Sequence, residues 1–231
     1  ATTAGIMALL SLFKLCPGML ARAGIVFVVG ALASASFANE PAIDPSIGAP
    51  LTVRERPVFG SADAEIVVIE VRSFKCAHCR AFHETVFPQL REKYIATNQL
   101  RWVRINASPD PADKPSAVFA IARCAMQQGT YESIEDFLFR YGNRASSFLQ
   151  SRVAEQPGID RNALANCLRT DACRAEIEAD FAEAAALKVT VLPTFILRKK
   201  RADGSFVEAR IEGYPQEDYF TRVLDGLRAQ P

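Results

Sequence analysis

The pattern of apolar and polar residues predicts a domain that opens with a buried strand. Residues 65–71 carry a nearly continuous run of β-branched side chains, which favours a strand covered on both faces. After residue 79, apolar side chains recur at every fourth position and predict a helix with one apolar face, kinked at Pro88. Residues 100–105 alternate between apolar and polar side chains, as in a strand with one buried face.

The second half of the chain predicts a helical block and then a hairpin. Residues 114–189 are mainly helical in pattern, with a break at Pro157-Gly158 and Asp160 as a candidate N-cap. Residues 194–197 and 206–211 predict two strands, and a final helix covers about 216–227. The resulting order, strand, helix, strand, helical block, strand, strand, helix, predicts an α/β fold. We interpret the basic residues 198–201 as a solvated hairpin tip.

The N-terminal residues predict an export signal. Lys14 and Arg22 precede an apolar stretch, residues 23–32, and small residues end at Ser36-Phe37-Ala38. This layout is typical of a secretory signal peptide, residues 1–38, cleaved after Ala38. The alternative is an uncleaved anchor, but the apolar run is shorter than the ~20 residues of a spanning helix. We therefore expect an extracytoplasmic protein in which residues 39–56, rich in Pro and small residues, form an arm or linker.

Composition argues against nucleic-acid binding and limits how the cysteines can pair. The chain has 231 residues, of which 49% are hydrophobic, with 27 Lys and Arg against 26 Asp and Glu. This near balance gives no electrostatic case for nucleic-acid binding. Of the six cysteines, Cys16 belongs to the signal peptide, so the mature chain keeps an odd number and at least one thiol without an intrachain partner. Export permits the others to form disulfides.

The motif Cys76-Ala77-His78-Cys79 carries the chemistry. It lies between a predicted strand and a predicted helix, so the first sulfur is expected at a helix N-terminus. Free N–H groups and the helix dipole there favour negative charge, which lowers the thiol pKa and makes the sulfur a nucleophile and a leaving group. Cys79, one turn later, can close a disulfide. His78 can add positive charge near the thiolate.

This motif has two alternative interpretations. A zinc site needs four ligands, but the sequence has no second C-x-x-C and only two histidines, His78 and His83. A purely structural disulfide is the other alternative, and the strand–motif–helix context argues against it. We therefore predict no metal site and no cofactor beyond a redox-active Cys76–Cys79 disulfide.

Residues 70–80, including this motif, resemble the active-site segment of the DsbA family of thioredoxin-fold oxidoreductases. Residues 191–195, Val-Leu-Pro-Thr-Phe, resemble the same family's cis-proline loop. The resemblance implies a thioredoxin fold over residues 57–231 with a helical insertion at about 111–188.

The resemblance also implies roles. Cys76 would be the attacking, substrate-linked cysteine and Cys79 the buried resolving cysteine, with His78 tuning the thiolate. Glu70 would be a buried acid that assists proton transfer at Cys79; the alternative is a polar residue at a sheet edge. Pro193 would be cis and pack against the disulfide. The backbone of Leu192 would pair with an extended substrate peptide.

Two positions depart from the family pattern. The dipeptide between the cysteines is Ala-His where strong oxidants usually have Pro-His, and Leu192 stands where Val or Thr is common. Both positions influence redox poise and substrate choice. Some secreted members also carry a structural disulfide in the helical block, which implies Cys124–Cys167 here, with Cys167–Cys173 as the alternative.

The predicted function is a secreted oxidase that donates or exchanges disulfides with exported cysteine-containing proteins. The resemblance implies reoxidation by a quinone-linked membrane partner of the DsbB type. One alternative is an isomerase or reductase kept reduced by another partner. A second is a thiol-based metal-binding module without turnover, since paired thiolates suit soft ions such as Cu(I).

Overall fold

A five-stranded mixed sheet runs through the part of the chain that the structure describes. The computed structural model describes residue 45 and residues 47–52, 54–114 and 116–231. The predicted signal peptide and the first residues of the predicted arm lie outside this part. The strands are β1 (Val58–Phe59), β2 (Ile66–Arg72), β3 (Leu100–Asn106), β4 (Thr194–Lys200) and β5 (Phe206–Glu212). Their order in the sheet is β1-β3-β2-β4-β5, and only β2 and β3 pair in parallel.

Helices cover both faces of the sheet. They are α1 (Ala77–Thr85), α2 (Phe87–Leu90), α3 (Ala117–Gln127), α4 (Tyr131–Tyr141), α5 (Ser146–Val153), α6 (Arg161–Cys167), α7 (Asp171–Ala186) and α8 (Glu217–Arg228). A turn of π-helix (Arg91–Ile95) extends α2, and a short 3₁₀ turn (Pro111–Asp113) precedes α3. Among the described residues, no helix is both long enough and apolar enough to cross a membrane.

The central strand β2 separates two apolar cores. Val67, Ile69 and Val71 face the helical block α3–α7, which matches the predicted insertion at about 111–188. Ile66 and Val68 face the other layer, made by α1, α2 and α8. All seven residues of β2 are buried, which confirms the strand predicted to be covered on both faces. Burial of this strand places its C-terminal end, and the motif that follows, between the two layers.

The predicted kink at Pro88 separates α1 from α2. Pro88 occupies the first turn of α2, where a missing backbone N–H is tolerated. The predicted N-cap Asp160 is also present, and its carboxylate accepts hydrogen bonds from the backbone N–H groups of Asn162 and Ala163. Local signals in the sequence therefore set these helix boundaries.

The prediction that β3 has one solvent-facing side is wrong. Six of its seven residues are buried, because polar positions on this strand are covered by the layer above them. Arg104 is only 1% exposed and pairs with buried carboxylates. Val103 and Ile105 face one apolar core, whereas Arg104 shares the other face of the strand with Leu100 and Trp102 of the second apolar core.

The basic run at residues 198–201 is not wholly a solvated tip. Arg198 is buried, donates hydrogen bonds to the carbonyl oxygens of Ile47 and Gly48, and pairs with Glu208 across the hairpin at 2.8 Å. Lys200 and Arg201 are exposed, as predicted. The side chain of Arg198 therefore attaches the segment before β1 to the hairpin.

The second half of the predicted arm packs onto the domain. Ile47 and Leu51 are fully buried in the core beside the helical block. Arg54 and Arg56 pair with Glu183 on α7 at 2.7 and 2.9 Å. Apolar burial and ion pairs with α7 thus attach this segment, although its sequence shows no helical or strand period.

Candidate active site

Cys76 is the N-cap of α1, at the point where the chain leaves β2. Its backbone is extended (φ −91°, ψ 120°), and its sulfur accepts a hydrogen bond of 3.3 Å from the backbone N–H of Cys79. The sulfur thus takes the position that a Ser or Asp oxygen usually fills at a helix start. The prediction that this sulfur lies at a helix N-terminus is confirmed.

The two thiols have opposite environments. Cys76 is half-buried, whereas Cys79 is fully buried. The Cys79 side chain and the backbone N–H groups of Cys79 and His78 hydrogen-bond to Cys76, and with the charge of His78 they lower its pKa to about 6. Burial, and then proximity to Cys76, raise the pKa of the Cys79 thiol above its ordinary range. One sulfur is therefore a stabilised thiolate, and the other is a protonated thiol behind it.

The loop before β4 lies against Cys76. The Leu192–Pro193 peptide bond is cis, and Cys76 Sγ lies 3.7 Å from the carbonyl oxygen of Leu192. Pro193 is buried and its carbonyl oxygen accepts from the backbone N–H of Gly213, while Leu192 is half-buried and Val191 is exposed. The structure thus brings together Cys76, Cys79, Leu192 and Pro193, which are far apart in sequence.

His78 and Glu70 differ in exposure to solvent. His78 is exposed on the first turn of α1. Glu70 is fully buried on the central strand β2, so the alternative that placed it at a sheet edge is wrong. Its Oε2 accepts hydrogen bonds from Trp102 Nε1 at 2.8 Å and Arg104 Nε at 3.0 Å. Among the described residues, its Oε1 has no hydrogen-bond partner.

A buried ionic cluster beneath the site was not predicted. Arg104 donates to Glu70 and, at 2.8 Å, to both carboxylate oxygens of Glu135 on α4. Arg72, at the end of β2, also pairs with Glu135 and donates to the hydroxyl of Tyr131. Burial would raise the pKa of Glu135, but Arg104 and Arg72 outweigh it and lower that pKa to about 2. Two arginines and two carboxylates thus balance one another in a low-dielectric region.

One sequence signal could have revealed this cluster. Arg72 and Arg104 fall within strands that are mostly apolar, and a buried charge requires a partner. Glu70 is the nearest acidic candidate in sequence, but Glu135 lies in the helical block. Only the packing of α4 on the sheet identifies it.

The end of α4 holds the turn that carries Cys76. Gly142 approaches this turn so closely that a Cβ atom there would lie 2.6 Å from the carbonyl oxygen of Phe74. Asn143 Nδ2 donates to the carbonyl oxygen of Lys75 at 3.3 Å. The helical insertion therefore positions the active-site turn as well as covering the sheet.

The disulfide implied by the resemblance is confirmed. Cys124 on α3 and Cys167 on α6 are bonded, with Cα atoms 5.7 Å apart, and Cys173 is a free, buried thiol. The alternative pairing of Cys167 with Cys173 is therefore wrong for this structure. The disulfide lies within the helical block, on elements other than those that carry Cys76 and Cys79.

Comparisons with known proteins agree with this geometry. A family model described as Thioredoxin matches residues 52–214. Wolbachia pipientis alpha-DsbA1 is 26% identical with a TM-score of 0.63, over 77% of this chain and 93% of that one. BdbD from Bacillus subtilis, in its oxidised form, is 15% identical with a TM-score of 0.60, over 75% and 94% of the two chains, and shows the fold alone.

A curated relative points the same way. A protein of Rickettsia bellii, provisionally named a protein-disulfide oxidoreductase, is 28% identical over 119 residues, which are 49% of this chain and 45% of the relative. The chain thus spans about half the length of the curated relatives it matches. Because the family model covers well over half of the chain, and the fold and thiol pair agree with it, the chain belongs to the thioredoxin family, and its likeness within that family is to DsbA.

Proposed function

We propose that this protein is an exported thiol–disulfide oxidoreductase that donates disulfides to exported, cysteine-containing proteins. The observation that carries the proposal is the asymmetry of the two thiols. Cys76 is accessible with its pKa lowered to about 6, and Cys79 is buried with its pKa raised. Stabilising the Cys76 thiolate favours the reduced form, which makes the disulfide a better oxidant.

The first step uses the oxidised Cys76–Cys79 pair. A substrate thiolate attacks Cys76 Sγ, the Cys76–Cys79 bond breaks, and a mixed disulfide forms between the substrate and Cys76. Cys79 leaves as a thiolate and takes up a proton, because burial disfavours its charge. Glu70 supports this step as a nearby buried carboxylate with one oxygen unpartnered among the described residues.

The second step releases the product. A second substrate thiolate attacks the substrate sulfur of the mixed disulfide, and Cys76 leaves as a thiolate. Its low pKa makes it a good leaving group. Two electrons pass from the substrate dithiol to the enzyme, one proton goes to Cys79, and the other goes to solvent because Cys76 stays a thiolate at neutral pH. We further propose that a quinone-linked membrane oxidant of the DsbB type returns the pair to the disulfide.

The loop before β4 supports a site for an extended substrate. Cys76 Sγ lies 3.7 Å from the Leu192 carbonyl oxygen. Neither the Cys76 thiolate nor a Cys76 disulfide has a proton to donate to that oxygen, which is therefore available to a backbone N–H of the substrate. Strand addition of this kind recognises the backbone and tolerates many sequences. The half-buried Leu192 side chain adds an apolar contact beside it.

The experiment that tests the direction of exchange is equilibration with glutathione. It uses a variant with Cys16→Ser and Cys173→Ser, which keeps the active pair and the Cys124–Cys167 disulfide. A potential well above that of thioredoxin, about −270 mV, and oxidation of a reduced, unfolded test protein would support a donor. A potential as low as thioredoxin's would contradict it and favour the reductase or isomerase alternative. Cys79→Ser should trap the mixed disulfide at Cys76, and Cys76→Ser should trap none.

A further inference from the structure

Three sulfur atoms meet in the helical block. Cys124 on α3 is bonded to Cys167 on α6, and Cys173 Sγ on α7 lies 3.7 Å from Cys124 Sγ. All three sulfur atoms lie within 4.8 Å of one another, and all three residues are buried. A free thiol thus lies in contact with a disulfide that it could attack.

A cavity adjoins the free thiol. Its volume is about 310 Å³ and Cys173 forms part of its lining. The rest of its lining comes from α3, α7, the turn between α6 and α7, and the segment before α3, and includes Ala120, Thr170 and Ile177. Tightly packed cores resist changes of side-chain rotamer. The cavity instead gives Cys173 room to move.

Such movement is required for reaction. Because Cys173 Sγ lies close to both bonded sulfurs, it approaches the disulfide from the side. Attack on Cys124 needs alignment along the S–S axis, so the Cys173 side chain must first rotate. Cys124 is the sulfur in contact, so it is the expected target, with Cys167 as the leaving group.

We propose that Cys173, Cys124 and Cys167 form a second thiol–disulfide centre, in which Cys124 exchanges its partner between Cys167 and Cys173. The Cys173 thiol loses its proton and attacks Cys124 Sγ, and the Cys124–Cys167 bond breaks. Cys167 leaves as a thiolate and takes up a proton. One disulfide is exchanged for another, so no external oxidant or reductant is needed.

The exchange changes which helices are joined. In the structure, the disulfide attaches the seven-residue helix α6 to α3. After exchange it joins α3 to α7, and the free thiol moves to α6. The centre is independent of Cys76 and Cys79 and does not rest on the proposed function.

The charges around Cys173 bear on the rate. Burial raises the pKa of the Cys173 thiol, while Arg123 on α3 lowers it and Glu176 on α7 raises it. Further charged groups line the cavity beside Cys173: Lys114, Arg174 and Glu178. Because the thiolate is the attacking species, exchange should be faster in mildly alkaline buffer than in acid.

The test is to locate the free thiol in the full chain carrying Cys16→Ser, Cys76→Ser and Cys79→Ser. The protein is held without reductant in mildly alkaline buffer, quenched in acid, unfolded, alkylated and mapped by peptide mass spectrometry. The proposal expects label on both Cys173 and Cys167, in a ratio independent of protein concentration. Adding Cys173→Ser should abolish all label. Label confined to Cys173 at every time point would overturn the proposal.

A second variant tests whether Cys124 can pair with Cys173 when Cys167 is absent. In the same background, Cys167→Ser leaves Cys124 and Cys173 as the two remaining thiols. Oxidation by glutathione disulfide should join them within one chain, with a loss of two hydrogen masses and a linked peptide pair. Two free thiols in the oxidised variant, with its circular dichroism unchanged, would also overturn the proposal.

Discussion

The thiol of Cys76 lies 3.7 Å from the carbonyl oxygen of Leu192, a residue 116 positions further along the chain. Cys76 follows β2 and Leu192 precedes β4. Because β2 and β4 pair in the sheet, the two residues come together. The contact places a reactive sulfur beside a backbone acceptor that a substrate peptide could use. The proposed catalytic thiol and the proposed peptide-binding edge therefore lie at one site, whose parts can be tested separately.

The Cys76 thiol should titrate far below an ordinary cysteine. In the reduced protein, thiolate absorbance and the rate of alkylation should rise through a pH of about 6, because N–H and thiol donors stabilise the charged sulfur. Cys76→Ser should remove this transition, since Cys79 is buried and its pKa is raised. A transition near 9 would contradict the proposed environment of Cys76.

His78 should tune the pair without stabilising the fold. His78→Ala removes a positive charge near Cys76, so the Cys76 pKa should rise and the disulfide should become less oxidising, by at most about 30 mV. Because His78 is exposed, the melting temperature should change little. His78→Lys is the matched control, which keeps the charge and should keep most of the pKa shift. An unchanged reduction potential of the Cys76–Cys79 disulfide in His78→Ala would show that His78 does not tune the pair.

Glu70→Gln should separate a proton-transfer role from a structural one. The buried carboxylate pairs with Arg104, so its neutralisation should destabilise the fold by about 1–3 kcal/mol. If Glu70 also handles the Cys79 proton, the step that forms or resolves the Cys76 mixed disulfide should slow by about tenfold or more. Stopped-flow measurement of that step gives the readout.

A matched control for Glu70→Gln is Glu84→Gln. Glu84 is exposed on α1 and pairs with Arg80, so its neutralisation should affect neither stability nor rate. A lower melting temperature with an unchanged rate in Glu70→Gln would leave Glu70 a purely structural role.

Glu135 should make stability fall in acid. Its pKa drops from 4.5 to about 2 on folding, so its contribution is complete above 4.5 and is lost as the pH falls towards 2. The shift corresponds to about 3 kcal/mol of unfolding free energy. Glu135→Gln should flatten the stability curve over this window, and it should cost about 3–5 kcal/mol near neutral pH because Arg72 and Arg104 lose a buried partner.

Urea unfolding across this pH range provides the measurement for Glu135. Glu183→Gln is a useful comparison, because the pKa of Glu183 is also lowered to about 2 by Arg54 and Arg56. Glu183→Gln should keep the pH-dependent stability that Glu135 contributes and should lose the part that Glu183 contributes. If the fall in unfolding free energy at acid pH is the same in Glu135→Gln as in the unmodified protein, the buried cluster does not control acid stability.

The sequence alone determined the order of elements and the reactive pair. A run of β-branched residues marks β2, a helical repeat marks the apolar face of α1, and two short strand patterns mark the final hairpin, because all of these are local properties of the sequence. Spacing alone places Cys79 one helical turn after Cys76, where its backbone N–H can reach the sulfur. The resemblance added the cis peptide bond between Leu192 and Pro193 and the Cys124–Cys167 disulfide, and the structure has both.

Tertiary structure decided what each of these residues experiences. The raised pKa of Cys79 and the burial of Glu70 depend on the strands and helices packed around them, which no local pattern records. The sequence alone places Arg104 on the solvent-facing side of a half-buried strand, whereas in the structure it is buried and pairs with Glu135 on α4. Likewise, Cys173 is one more cysteine on an apolar stripe until α7 packs against α3 and places its sulfur beside a disulfide. Burial and charge are sums over neighbours in space, and only the packed chain supplies those neighbours.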